Sequence, residues 1–364
     1  MPNRNMQKGR DSMGYGLAII GYGGMGGWHH ASIRERLPEI TVKGAYDIRP
    51  EARNRAEEEG LKAYQSLEEL LSDASVEIVT IAVPNNFHKD YAIACLRAGK
   101  NVVCEKPVTM NAKELEEVIA VSRQTGRLFT VHQNRRWDRD YRIIKKIIEE
   151  KTIGIPYFIE SRVQGSRGSL HGWRGHQING GGMLLDWGVH LLDQLLDLLP
   201  AKVVSVSAHL DSVFSDEVDD NLKVFLQFEN NVSALVEVST NCFINLPRWH
   251  LSCTDGTAVV EDWECHGKIV KLAENADQMT WEDEIVYTAA GPTRTMAPRP
   301  VHTTQTLELP EVHPDWAEYY QNIAAVLEHK DEPIVRPEQC LRVMKLIDTI
   351  FASQKGDGVA KCLI

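Results

Sequence analysis

Three side chains have the types and spacing to move a proton. Asp186 and His190 lie four residues apart in a helical pattern, so both fall on one face. A histidine titrates at about 6.5 when unperturbed, which suits a general base near neutral pH. Asp186 is placed to orient a substrate or to hold the imidazole. Asp193, three residues further on, shares the face. Lys106 ends a short apolar run and is followed by Pro107, which fixes its position in a rigid loop. Its ammonium would favour an alkoxide developing on a nearby hydroxyl. Each feature also has an ordinary reading: a surface lysine, and a structural Asp–His pair on a helix. A metal held by Asp186, His190 and Asp193 is a third reading of the same residues.

A second constellation could hold an anion. Gly21-Tyr-Gly23-Gly24-Met25-Gly26 joins a strand-like run, Leu17–Ile20, to a helical pattern. The glycines would give a tight turn, let backbone approach a pyrophosphate, and let helix and strand pack closely. The N–H groups of the helix start would face the phosphates. Asp47 closes the next strand, about 20 residues on, where an acid can accept hydrogen bonds from both hydroxyls of an adenosine ribose. It would repel a 2′-phosphate, which predicts NAD rather than NADP, although Arg49 beside it could accommodate such a phosphate. Ile48 lies between them. Hydride chemistry on a bound nicotinamide would leave the protein to place the carbon and handle the proton.

The elements that must position these groups fall into two patterns. From Tyr15 to about Gln133, strand-length apolar runs alternate with helices. The runs are Gly16–Gly21, Thr41–Tyr46, Glu77–Val83, Asn101–Cys104 and Leu128–His132. Ser66 with Glu69 and Asn111 with Glu114 are helix-start signatures. Such alternation builds a parallel sheet covered by helices, and with the glycine turn and Asp47 it marks residues 14–133 as a dinucleotide-binding domain. Residues 134–364 form the second domain. A strand at Pro156–Gln164, a loop rich in Gly, Arg and Ser, and a helix from about Gly182 to Leu199 come first. Six strand-like runs follow between Val203 and Leu272, then helices near Asp315–His329 and Pro337–Ala352. Strand after strand with few helices between predicts a mostly antiparallel sheet. One sheet face lacks a helix from its own chain, which predicts a homo-oligomer, a tetramer or larger. Residues 1–13 are polar and read as a disordered leader rather than a targeting peptide.

Composition removes several alternatives. The chain has 364 residues, enough for about two domains. Forty Lys and Arg against 51 Asp and Glu give a net charge of −11, unsuited to nucleic acid or an anionic membrane surface. No apolar run reaches membrane-spanning length. The seven cysteines form no CxxC pair, so reduced thiols in a cytoplasmic protein are expected rather than disulfides or a cysteine zinc site.

An ordered set of motifs now stands behind the glycine turn: Pro84-Asn85-x-x-His88, Glu105-Lys106-Pro107, Asn134-Arg135-Arg136, Trp173-Arg174, and Gly180-Gly-Gly-Met-Leu-Leu-Asp186-Trp-Gly-Val-His190. From Tyr15 to about Ala352 the chain resembles the glucose–fructose oxidoreductase, inositol dehydrogenase and rhizopine-catabolism family (Gfo/Idh/MocA). Trp28-His29-His30 departs from that family's usual single His followed by Ala. The resemblance implies an α/β chain, an N-terminal Rossmann domain followed by an α+β domain with a large open, mostly antiparallel sheet. It implies a nicotinamide cofactor and a sugar, glycoside or cyclitol whose ring hydroxyl is oxidised, with C3 of a glucosyl unit as one candidate. It implies His190 as base, Asp186 as its close partner and Lys106 as the group on the alkoxide, with no metal. It also places Pro84, Asn85, His88, Glu105, Asn134, Trp173 and Arg174 toward the cofactor, with Arg136 and Trp173 toward the substrate. Trp137 and Trp187 would lie near the cleft. Two other functions share the scaffold: a glycosidase that oxidises transiently, eliminates and recycles NAD, and a non-catalytic dinucleotide sensor. The sensor would have no use for a proton acceptor.

Overall fold

The computed structural model describes residues 14–282, 285–293, 299–356 and 358–364. The expected leader, residues 1–13, lies outside them. The first sheet contains β1 (Tyr15–Ile20), β2 (Ile40–Tyr46), β3 (Lys62–Ala63), β4 (Ile78–Ile81), β5 (Asn101–Cys104) and β6 (Phe129–Val131). All its neighbours are parallel, in the order β3-β2-β1-β4-β5-β6. Every residue of β4 and β5 is buried, as strands covered on both faces require. The order reverses between β1 and β4, so their carboxyl ends open a crevice suited to a dinucleotide.

The crossover helices are α1 (Gly24–Arg36), α2 (Pro50–Glu58), α3 (Leu67–Ser72), α4 (His88–Arg97) and α5 (Ala112–Thr125). The Ser66 hydroxyl accepts the Glu69 N–H at 3.1 Å, and the Asn111 side chain accepts the Glu114 N–H at 3.0 Å. Both caps were legible in the sequence. The two-residue strand β3 was not, since so short a run has no periodicity to read.

Helix α6 (Arg139–Glu149) leads into the second sheet, which comprises β7 (Pro156–Gln164), β8 (Val203–Asp211), β9 (Asn221–Phe228), β10 (Ser233–Ser239), β11 (Trp249–Cys253), β12 (Gly256–Val260) and β13 (Gly267–Leu272). A separate hairpin, β14 (Val286–Thr288) and β15 (Gly291–Thr293), follows, and then β16 (Thr304–Leu307) and β17 (Val359–Lys361) return to the large sheet. Its order is β16-β13-β12-β11-β7-β10-β9-β8-β17, antiparallel throughout except for β7 with β10. The helix expected over 182–199 is divided: a π-helical turn at Leu184–Gly188 precedes α7 (Val189–Leu198). Helices α8 (Ala317–Leu327) and α9 (Pro337–Lys355) close the fold.

One face of the large sheet packs on α6, α9 and the 184–188 turn. There the Trp249 indole, fully buried, donates to Asp140 of α6 at 2.9 Å. On the other face the register aligns Phe225 with Leu235 and Ser207. Phe225 is 43% exposed and Val359, paired with Ser207, is 62% exposed. No helix of the described residues is long and apolar enough to cross a membrane.

Candidate active site

The turn after β1 is built as its glycines require. Gly21 has φ +91°, and a Cβ there would lie 2.3 Å from the Ala82 carbonyl oxygen; one on Gly26 would lie 2.1 Å from that of Gly21. Around Gly24 there is open space, and Gly23 meets only an Arg49 nitrogen at 3.7 Å. Helix α1 starts without a side-chain cap, leaving its first N–H groups for an anion. This open, donor-lined cradle fits a pyrophosphate. Asp47 accepts the Tyr22 N–H at 2.9 Å and pairs with Arg49 through Nε and Nη2, each at 3.1 Å. Burial raises the Asp47 pKa, but these hydrogen bonds outweigh it and hold the group ionised below its usual range. Ile48 is exposed, and Met25 is partly so.

Lys106, in the loop after β5, reaches across to the second domain. Its Nζ donates to the Asp186 carbonyl oxygen at 2.8 Å and to Oδ1 at 3.1 Å. Arg174 Nε, from a short turn at Gly172–Gly175, donates to Asp186 Oδ2 at 3.0 Å. The Arg174 guanidinium also lies 4.6 Å from the Trp173 ring centre. Burial raises the Asp186 pKa, and the two cations more than reverse that. The π turn carrying Asp186 is itself fixed at its start, where Asp219 Oδ2 accepts the Leu184 N–H at 2.7 Å and its carbonyl accepts the Met183 N–H at 2.8 Å.

His190 follows in α7. It is 4% exposed, and its Nδ1 is sealed from solvent with no partner among the described residues. Burial, followed by the charges of Lys106 and Arg135, lowers its pKa well below the ordinary histidine value. The imidazole is therefore neutral at pH 7 and free to accept a proton. Asp186 does not hold it: the carboxylate is shared between Lys106 and Arg174. The expected closeness of Asp186 to the base is thus a partnership with the lysine.

Three residues expected to face cofactor or substrate have other partners. His88 is buried, its ring nitrogens bonded to the carbonyls of Pro107 (2.9 Å) and Val83 (2.8 Å), so it clasps two loops. Arg136 is buried, and Nε and Nη2 each donate to Asp193 at 2.7 Å. That removes Asp193 from the His190 group and Arg136 from the substrate. Glu105 turns inward: Oε1 accepts from His29 Nε2 and His132 Nδ1, both at 2.8 Å, while Oε2 accepts the Lys106 N–H at 3.2 Å. Trp137 is also buried, donating to Glu318 at 2.8 Å. The Asn85 amide donates to the Gly180 carbonyl at 2.8 Å, tying the domains together beside the cleft. Pro84 caps the turn containing Asn85, and Asn134 opens the turn carrying Arg135 and Arg136.

His29, Glu105 and His132 also form the one three-residue group of metal-ligating type among the described residues. Their hydrogen bonds decide against a metal. Trp316 Nε1 can only donate, and it donates to His132 Nε2 at 3.0 Å. Nε2 is thus an acceptor and the ring N–H is on Nδ1, which has no lone pair to offer. His29 Nδ1 is taken by the Tyr320 hydroxyl at 3.0 Å. The group holds Glu105 instead. Burial raises the Glu105 pKa, yet the imidazole partners bring it well below the carboxylate range. Local pattern carries no signal for this network, because its members come from α1, the residues just after β5 and β6, and the start of α8.

The crevice, glycine cradle and Lys106–Asp186–His190 group define a nicotinamide-dependent oxidoreductase. Residues 15–133 match the model of an oxidoreductase family with an NAD-binding Rossmann fold, and residues 141–259 match the GFO/IDH/MocA C-terminal domain. The chain belongs to the Gfo/Idh/MocA family. It is 25% identical to the scyllo-inositol 2-dehydrogenase (NADP(+)) IolW of Bacillus subtilis, over 93% of each chain. It is 26% identical to the myo-inositol 2-dehydrogenase of Thermotoga maritima, over 61% of this chain and 68% of that protein. An NAD-binding protein from Listeria innocua has a crystal structure that superposes with a TM-score of 0.91 at 44% identity, covering 96% of this chain and 100% of that one.

Removing the Glu105 carboxylate leaves two buried imidazole N–H groups without an acceptor. Glu105→Ala is expected to lower stability at pH 7 by at least about 2 kcal/mol. The folded pKa is depressed, so this contribution is fully present above the unfolded value near ~4.3 and fades as pH falls through the folded one. Urea unfolding of both proteins at pH 7 and near pH 4 checks it: the gap should narrow in acid.

Proposed function

We propose that the protein oxidises a secondary ring hydroxyl of a sugar, glycoside or cyclitol to a ketone. The observation that carries this reading is His190: a buried, neutral imidazole without a protein partner, beside the Lys106–Asp186 pair. Bound NAD would accept the hydride, held over the glycine turn at Gly21, Gly23 and Gly26. Asp186, with Arg174, holds the Lys106 ammonium in place. From there Lys106 stabilises the oxygen as it loses its proton, and His190 takes that proton. The inositol dehydrogenases among its relatives support the substrate class, since a cyclitol presents the same ring hydroxyls.

Both groups act mainly in the transition state, so their removal should reduce turnover more than substrate binding. Lys106→Ala and His190→Ala are each expected to lose at least ~100-fold in kcat while NAD still binds. The wild-type rate should fall in acid only as pH drops through the lowered His190 pKa, below about 6.5, because the protonated ring cannot accept a proton. That limb should vanish or move in His190→Ala. Cofactor reduction with a panel of hexoses, inositols and glucosides, with products identified by mass, measures all of this. Near-normal turnover in His190→Ala would assign the base elsewhere.

The ionised Asp47 favours NAD over NADP by repelling a 2′-phosphate. Calorimetric titration should give tighter NAD binding, with a smaller difference in Asp47→Ala; tighter NADP binding by the wild type would reject the preference. The uncovered sheet face around Phe225 and Leu235 suits a second copy of the chain. Light scattering at micromolar concentration should give a homo-oligomer, a tetramer or larger, and a monomer would remove this reading.

A further inference from the structure

Beside His190, aromatic rings alternate with guanidinium groups. The Trp187 ring meets His190 edge-on, with centres 5.7 Å apart, and lies 5.8 Å from the Trp263 ring. The Arg135 guanidinium stands 4.5 Å from the Trp187 centre and 5.8 Å from that of Trp263. The Arg248 guanidinium lies 4.0 Å from Trp263 on its own account. Carboxylates fix both cations, since Arg135 Nη1 donates to Asp138 at 3.2 Å and Arg248 Nη2 to buried Asp140 at 2.6 Å. Trp263 is thus firmly mounted, although it sits in the turn between β12 and β13.

Two features are unexplained by packing. Trp263 is 46% exposed, within the polar run Glu261-Asp262-Trp263-Glu264. Arg135 Nε is shut off from solvent and has no acceptor among the described residues, an arrangement that costs free energy.

We propose that Arg135, Trp187 and Trp263 form a subsite for a second sugar ring, making the substrate a glycoside of at least two rings. The proposal rests on the reading of His190 as the base that meets the reacting hydroxyl. Each step from His190 to Trp187 to Trp263 is one ring-to-ring contact. A single ring at His190 reaches Trp187, and only a second ring reaches Trp263. The indole, with Arg248 over one face, has 46% of its surface open and offers apolar surface to the C–H face of that ring. The Arg135 guanidinium, stacked between the two indoles, holds them in line, and the exposed Glu264 carboxylate can accept from hydroxyls further out.

The test compares the wild type with Trp263→Ala and Trp263→Phe, after circular dichroism has established that each is folded. The ratio of kcat/KM for a glucosyl disaccharide to that for free glucose is measured with NAD. Disaccharide binding to the NAD-loaded protein is measured by calorimetry. In Trp263→Ala the ratio should fall at least ~5-fold, mostly through KM, with disaccharide affinity falling in parallel, while Trp263→Phe retains most of both. An unchanged ratio together with unchanged disaccharide affinity overturns the subsite, as does a wild type that binds the disaccharide no better than glucose. If no sugar is oxidised but disaccharide binding still depends on Trp263, the subsite stands and the assigned reaction fails.

Discussion

The ion pair between Lys106 and Asp186 is the contact on which the site depends. It joins the loop after β5 to the π turn before α7, 80 positions apart in the chain, with both side chains 15% exposed. Charges so far out of water are tolerated only with good partners. Asp186 has two, Lys106 and Arg174, and Lys106 also donates to the Asp186 carbonyl. The pair therefore fixes where the ammonium points and how the second domain sits over the nucleotide crevice.

The loop bearing Lys106 is held from behind by a different kind of contact. Glu105 binds the Lys106 amide on one oxygen and two imidazoles on the other. Their far nitrogens are occupied by Trp316 and Tyr320 of the closing helical segment, and Tyr320 in turn bonds Thr80 of β4 at 3.0 Å. A carboxylate alone in this core would be costly; one that accepts several hydrogen bonds rigidifies it. Successive residues, Glu105 and Lys106, thus face opposite ways, one into the core and one into the cleft.

That division explains the electrostatics at His190. Burial denies it water, and the charges of Lys106 and Arg135 act on it in the same direction, so the ring stays neutral. A more solvated histidine would share its proton with water through the physiological range. The arrangement leaves a neutral imidazole whose Nδ1 has no partner among the described residues, the property that the proposed role of His190 calls on.

Local rules made much of this legible. Parallel-strand alternation, the helix caps at Ser66 and Asn111, and the glycine turn follow from periodicity, side-chain hydrogen bonding and backbone sterics acting over a few residues. Lys106, Asp186 and His190 could be picked out because motif order along the chain carries information that single residues do not. The partners of those residues could not be read in this way. A carboxylate four positions from a histidine on a helix looks like its companion, yet Asp186 turns to a lysine from another domain. Arg136 and Asp193 looked like cleft residues and instead neutralise each other in the interior. Trp263 sits in a charged turn with no local signal, and the sheet brings it beside Trp187. Pairing of charges and rings across long sequence separations is decided by which surfaces the two sheets bring together, because buried charges take the nearest compensating group whatever its place in the chain.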